Sequence, residues 1–79
     1  MEPVPEGIVA LNEAIEIAGG ERRLAERVGA SHNGPYMWRQ RKKVPADYCP
    51  GIERETGVRC ERLRRDVPWG VLRGTAVHD

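Results

Sequence analysis

The sequence predicts an all-helical domain, on three observations. Apolar residues recur at three- and four-residue spacing, glycines stand where those runs end, and no stretch alternates apolar and polar residues long enough for a strand. At 79 residues the chain makes one domain with a modest core, so a second copy is an expected source of added stability. No apolar run approaches the roughly 20 residues of a membrane span, and no basic-then-apolar leader is present, so the chain is read as cytosolic, without membrane contact.

Met1 to Gly7 holds two prolines and two glutamates and reads as a flexible arm. The first helix then carries Ile8, Leu11, Ile15 and Ala18 on one face, and Gly19-Gly20 stops it. A second helix is expected from about Glu21 to Val28. Glu21 places a carboxylate in its first turn, where the helix dipole favours it, and Leu24, Ala25 and Val28 form its apolar stripe. Gly29 can end that helix in the left-handed region without a Cβ clash, and a third helix follows at once, from Ser31 to Arg41, with Ser31 a good N-cap. So tight a junction forces the two helices to cross steeply.

Val44-Pro45 breaks the third helix. A fourth is expected over Ala46 to Thr56, stopped by Gly57, with Cys49, Ile52 and Thr56 on one face. Asp47 as its N-cap would put Pro50 harmlessly in the first turn. A short fifth helix from about Cys60 to Arg65 brings Leu63 to the core. Val67, Trp69, Val71 and Leu72 remain, either to cover the core or to pair with another subunit. Gly74 to Asp79 should fray, which leaves a single domain over 8–73.

The residues around Gly29 meet the requirements of a helix-turn-helix. A helix that enters the major groove must be braced by another packed closely across it, and close crossing needs a small residue on the brace. Ala25 lies four positions before the turn glycine, Leu24 and Val28 tie the brace to the core, and Trp38 does so for the third helix from nine positions after Gly29. The same offsets occur in ordinary helical hairpins.

Charge supports a polyanion as partner. Residues 1–21 carry five acids and no base, residues 22–43 carry seven bases against Glu26 alone, and residues 44–79 balance at six against six. The middle window, at +6, can present a positive face although the whole chain is only +1. Arg22, Arg23, Ser31, Arg39, Arg41, Lys42 and Lys43 are the candidates for contact with DNA phosphates, the first two near backbone N–H groups at a helix start. Taken singly, each cation also reads as a solvated surface charge. Arg54, Arg59, Arg62, Arg64 and Arg65 are interleaved with acids and need no special role.

Base reading falls on His32, Asn33, Tyr36, Met37 and Gln40. Asn can bond an adenine edge bidentately, His can donate or accept at a purine, and Tyr or Met can touch a thymine methyl. The plainer alternative is that His32 and Asn33 cap the helix and Tyr36 is an ordinary exposed aromatic. Pro35 decides between starts for this helix, because a proline beyond the first turn costs roughly 3 kcal/mol. With Asn33 rather than Ser31 as N-cap, Gly34 and Pro35 become the first two helical residues and the cost disappears. His32 and Asn33 then reach DNA from the turn, and Tyr36, Met37 and Gln40 from the helix.

Cys49 and Cys60 are too few for a disulfide scaffold and stand outside any Cys-x-x-Cys pair, so two reduced thiols and no metal site are expected. The histidines are His32 and His78 alone, and no phosphate-cradling glycine loop is present, so neither catalysis nor a cofactor is expected.

Gly19-Gly20, Leu24-Ala25, Gly29, Ser31, Trp38, Val44-Pro45, Cys49-Pro50, Ile52-Glu53, Thr56-Gly57, Leu63-Arg64, Asp66-Val67 and Trp69 follow in an order and spacing that resembles the YdaS-type, Cro-like family of phage and prophage regulators and antitoxins. The resemblance covers about Ala14 to Leu72. It implies a lambda-repressor-like fold of about five helices, operator binding through the third helix, and a homodimer on a palindromic or pseudo-palindromic site. It also implies repression of transcription, with a cognate toxin as a further partner. Pro35 departs from the family, which places a branched aliphatic residue facing the core there, and Arg65 replaces a proline common before Asp66. The alternative function is an antitoxin or adaptor acting by protein contact through Val67, Trp69, Val71 and Leu72.

Overall fold

The computed structural model describes residues 5–72, and the rest of the expected N-terminal arm and the tail with His78 lie outside the described residues. Among the described residues there are six α-helices and one 3-10 turn, and no strand, where about five helices were expected. Helix α1 spans Glu6–Ala18 and so begins before Ile8. Pro5 makes that earlier start possible, since its φ of −57° suits a helix entry and its carbonyl accepts the N–H groups of Ile8 and Val9 at 2.9 and 3.1 Å. Gly7 lies in this first turn for a packing reason. A Cβ there would stand 2.5 Å from the Leu63 carbonyl oxygen, so only glycine lets α1 approach that backbone.

Helix α2 covers Glu21–Val28 as predicted and closes at Gly29, whose φ of 77° is left-handed and whose N–H returns to the Ala25 carbonyl. Helix α3 covers Gly34–Arg41, with Asn33 as the residue before it and Pro35 in the first turn. The delayed start read from Pro35 is therefore the one adopted. Lys42 ends α3 in the left-handed region at φ 59°, which lets the Lys43 N–H reach the Trp38 carbonyl at 3.0 Å.

The continuous fourth helix is replaced by a 3-10 turn over Ala46–Tyr48 followed by α4 over Cys49–Thr56. Asp47 is consequently not its N-cap; Tyr48 takes that place and Pro50 keeps its first-turn position. In an unbroken α-helix from Ala46 the Pro50 ring would collide with the Ala46 carbonyl, and the tighter turn removes the conflict. Helix α5 is limited to Cys60–Leu63, short of the expected Arg65, because Arg64 turns out of helical geometry at φ −142°. A last turn, α6, covers Trp69–Leu72.

One core joins these elements: Leu11 and Ala14 of α1, Leu24 of α2, Trp38 of α3, Val44, Ile52 of α4, Val58, Leu63 of α5 and Trp69 are all buried in it. Cys49 and Cys60 are buried free thiols in the same cluster. Burial, with Cys60 next in effect, pushes the Cys49 thiol up to about 12, so it packs as a small hydrophobe and donates to the Pro45 carbonyl at 3.5 Å. Arg64 ties the C-terminal segment down. Its guanidinium donates to the Val44 carbonyl at 2.9 Å and grips Asp66 through two bonds of 2.9 Å, and its own carbonyl accepts the Trp69 indole N–H at 2.8 Å. No described helix is long and apolar enough to cross a membrane.

Candidate nucleic-acid interface

The interface is built outward from the way α3 is seated. Gly34, Pro35 and Trp38 are its buried residues, and Trp38 packs on Tyr48 with ring centroids 5.1 Å apart. Pro35 is fully buried, so it fills the core-facing position that the family resemblance assigns to a branched aliphatic side chain. Gly34 opens α3 close against the preceding turn, where a Cβ would come 3.3 Å from Ala30 and 3.4 Å from Trp38 of the same helix. Ala25, fully buried, supplies the small face of the brace.

At about 100° per residue, Tyr36 and Gln40 lie about 160° and 200° round the helix from Trp38, directly away from the core. Both are exposed, Tyr36 at 49%. Met37 lies to one side of this face and is half-buried. His32, Asn33 and Ser31 are exposed in the turn before it. Asn33 does not cap α3 with its side chain; its Oδ1 accepts the Ser31 hydroxyl at 3.2 Å, which makes the turn a local hydrogen-bonded unit. His32 Nε2 stands 3.6 Å from the Glu26 carboxylate. Four of the five candidate base-reading residues are thus exposed, and Met37 is half-buried beside them.

The seven candidate phosphate residues divide. Arg22, Arg23, Arg41 and Lys43 are exposed, and none is within ion-pair distance of a carboxylate among the described residues. Lys42 is exposed at the left-handed end of α3. Arg39 differs, because its guanidinium is bonded to the Glu21 carboxylate at the start of α2. That contact joins residues 18 apart in the chain, and nothing in the local sequence announces it.

The four C-terminal apolar candidates for a partner surface also divide. Trp69 is buried at 6% and Val67 packs against the core, so within the monomer both act as its lid. Val71 is exposed at 63%, and the side chain of Leu72 lies outside the described residues. Among the described residues no group of three or more His, Cys, Asp or Glu side chains is arranged to hold a metal ion.

A compact set of helices in which one short helix is braced by another across a glycine turn, its outer face polar and flanked by cations, defines a small all-α helix-turn-helix domain. Residues 11–72 match the family described as "Bacterial toxin YdaS". The chain is also 36% identical, over 70 residues, to a protein of Escherichia coli strain K12 named "Putative transcriptional regulator YdaS", an alignment that covers 85% of this chain and 71% of that relative. The chain belongs to the YdaS family. No solved structure matches it significantly.

Proposed function

We propose that this protein is a DNA-binding transcriptional regulator that reads double-stranded DNA with α3 and the turn before it, and that it acts as a homodimer repressing from a palindromic operator. The observation that carries the reading is the outward face of α3, where Tyr36 and Gln40 stand opposite the buried Trp38 and exposed cations flank them. The name of the Escherichia coli relative supports a regulatory role. In this reading His32, Asn33, Tyr36, Met37 and Gln40 contact base edges, while Arg22, Arg23, Ser31, Arg41, Lys42 and Lys43 hold the backbone. A catalytic step has no part in it. Contact with a cognate toxin through the C-terminal segment is less favoured, since Val67 and Trp69 are turned into the core and Val71 is the exposed apolar residue left among the described side chains of that segment.

Selection from random duplexes at moderate salt tests the proposal. An inverted repeat should be enriched, with half-sites about one helical turn apart, and affinity for it should fall linearly with salt on logarithmic axes. Enrichment of no sequence would contradict it.

A further inference from the structure

Helix α3 is short and packs on α1 and α2 through an arc of about 100° that carries Gly34, Trp38 and Pro35. It has eight residues, its first turn lacks a donor at Pro35, and its large core contacts, Pro35 and Trp38, lie only about 60° apart around the axis. Contacts within a helix of so few turns fix how far it sits from its neighbours better than they fix its rotation. Rotation is what base reading depends on, since a small roll of α3 moves Tyr36 and Gln40 across the groove floor together.

Arg39 stands at the place where a roll could be resisted. It lies about 100° from Trp38 and about 60° from Tyr36, on the flank between the core edge and the outward face. There it is bonded to Glu21, the first residue of α2, and both side chains are partly shielded, 42% and 34% exposed. The other flank of α3 is unlike it, for there Met37 is half-buried and Arg41 has no carboxylate partner among the described residues, so no ion pair joins that flank to α2. Arg22 and Arg23 next to Glu21 are likewise exposed without one, and the neighbouring pairs Arg27–Glu55 and His32–Glu26, at 3.7 and 3.6 Å, lie beyond hydrogen-bond distance.

We infer that Glu21 and Arg39 are positioning residues: their ion pair is a lateral strut that sets the rotation of α3 on α2, and so determines sequence specificity without touching a base. The inference rests on the reading of α3 as the DNA-reading helix. It also moves Arg39 from the phosphate contacts to the scaffold that aims Tyr36 and Gln40.

The test compares the wild type with Glu21→Gln, Arg39→Gln and the exchanged pair Glu21→Arg with Arg39→Glu. Each is titrated against the selected duplex and a scrambled one over a range of salt, and amide exchange is followed in the free protein. The strut predicts that either single change lowers the ratio of specific to scrambled affinity by about threefold to fivefold, with scrambled binding and salt slope little changed, and that the exchanged pair restores most of the ratio. It also predicts faster exchange at Met37 to Arg41 in both single variants without DNA. A phosphate contact predicts otherwise: Arg39→Gln would weaken both duplexes alike and reduce the salt slope by about 1, and Glu21→Gln would strengthen both by releasing Arg39. Either result overturns the strut. If the wild type selects a site but the ratio and the α3 exchange stay unmoved in the variants, the strut fails while the DNA reading stands. If no site is selected and α3 exchange still quickens, the DNA reading fails and the ion pair remains the element that fixes α3.

Discussion

Arginine behaves differently in the two halves of this molecule. In the C-terminal half, Arg54, Arg59 and Arg64 pair with the nearby carboxylates Glu55, Glu61 and Asp66, and Arg62 and Arg65 reach back to Glu13 and Glu6 of α1. Around α2 and α3, Arg22, Arg23 and Arg41 have no such partner among the described residues, and Arg27 and Arg39 are the paired exceptions. The same residue type is therefore structural or solvated where acids are supplied and available to an external polyanion where they are not. Net charge hides this, because the acids that balance the chain sit mostly outside the window from 22 to 43.

Removing charge from each half gives the sharpest contrast. Neutralising Arg22, Arg41 and Lys43 together should reduce the salt slope of DNA binding by about 3 and affinity on the order of 100-fold, with the fold retained; the same number of changes at Arg54, Arg59 and Arg65 should leave affinity within about twofold. Fluorescence anisotropy with a labelled duplex reads both. Equal losses from the two sets would erase the distinction.

Arg64 should show the opposite behaviour. Arg64→Ala leaves the Val44 carbonyl without its donor and frees Asp66, at a cost of roughly 2–3 kcal/mol in chemical denaturation. DNA affinity of the folded fraction should change little. Gly7→Ala should destabilise by about 1–3 kcal/mol, since the new methyl group meets backbone that must move. At the end of α3, Lys42→Gly should stabilise by about 1 kcal/mol by relieving the left-handed conformation, while weakening DNA binding if Lys42 holds a phosphate.

The smallest effect is on pH dependence. The hydrogen bonds from Arg64 hold the Asp66 carboxyl down to about 2, against 3.8 for a free side chain. A carboxyl group whose folded pKa is depressed contributes stability above its unfolded pKa and loses it as pH falls through the folded one. The contribution should thus be complete above about pH 4 and fade toward pH 2, and Asp66→Asn should flatten stability over that window.

How much of this was readable in the residues follows from the range of the forces involved. The bounds of α2, the start of α3 after Asn33 and the core role of Trp38 rest on backbone stereochemistry and helical spacing, which act within one or two turns. Pro35 was the most informative residue, because its ring excludes the earlier start whatever surrounds it. The same rule acts at Pro50, where the conflict with Ala46 divides the fourth helix. Contacts between distant positions gave no such signal. Glu21 meets Arg39, Arg62 meets Glu13 from 49 residues away, and Arg64 finds the Val44 carbonyl 20 residues back only because the chain has already folded. Arg64 in particular looks like one more charge among acids until the Val44 carbonyl is seen beside it.

A nuclear magnetic resonance titration of the protein with its selected duplex tests the central claim most directly. DNA reading by α3 predicts the largest amide shifts from His32 to Lys43, with a second set at Arg22 and Arg23, and little change from Arg54 to Glu61. Shifts centred on the C-terminal half, or none at α3, would contradict it.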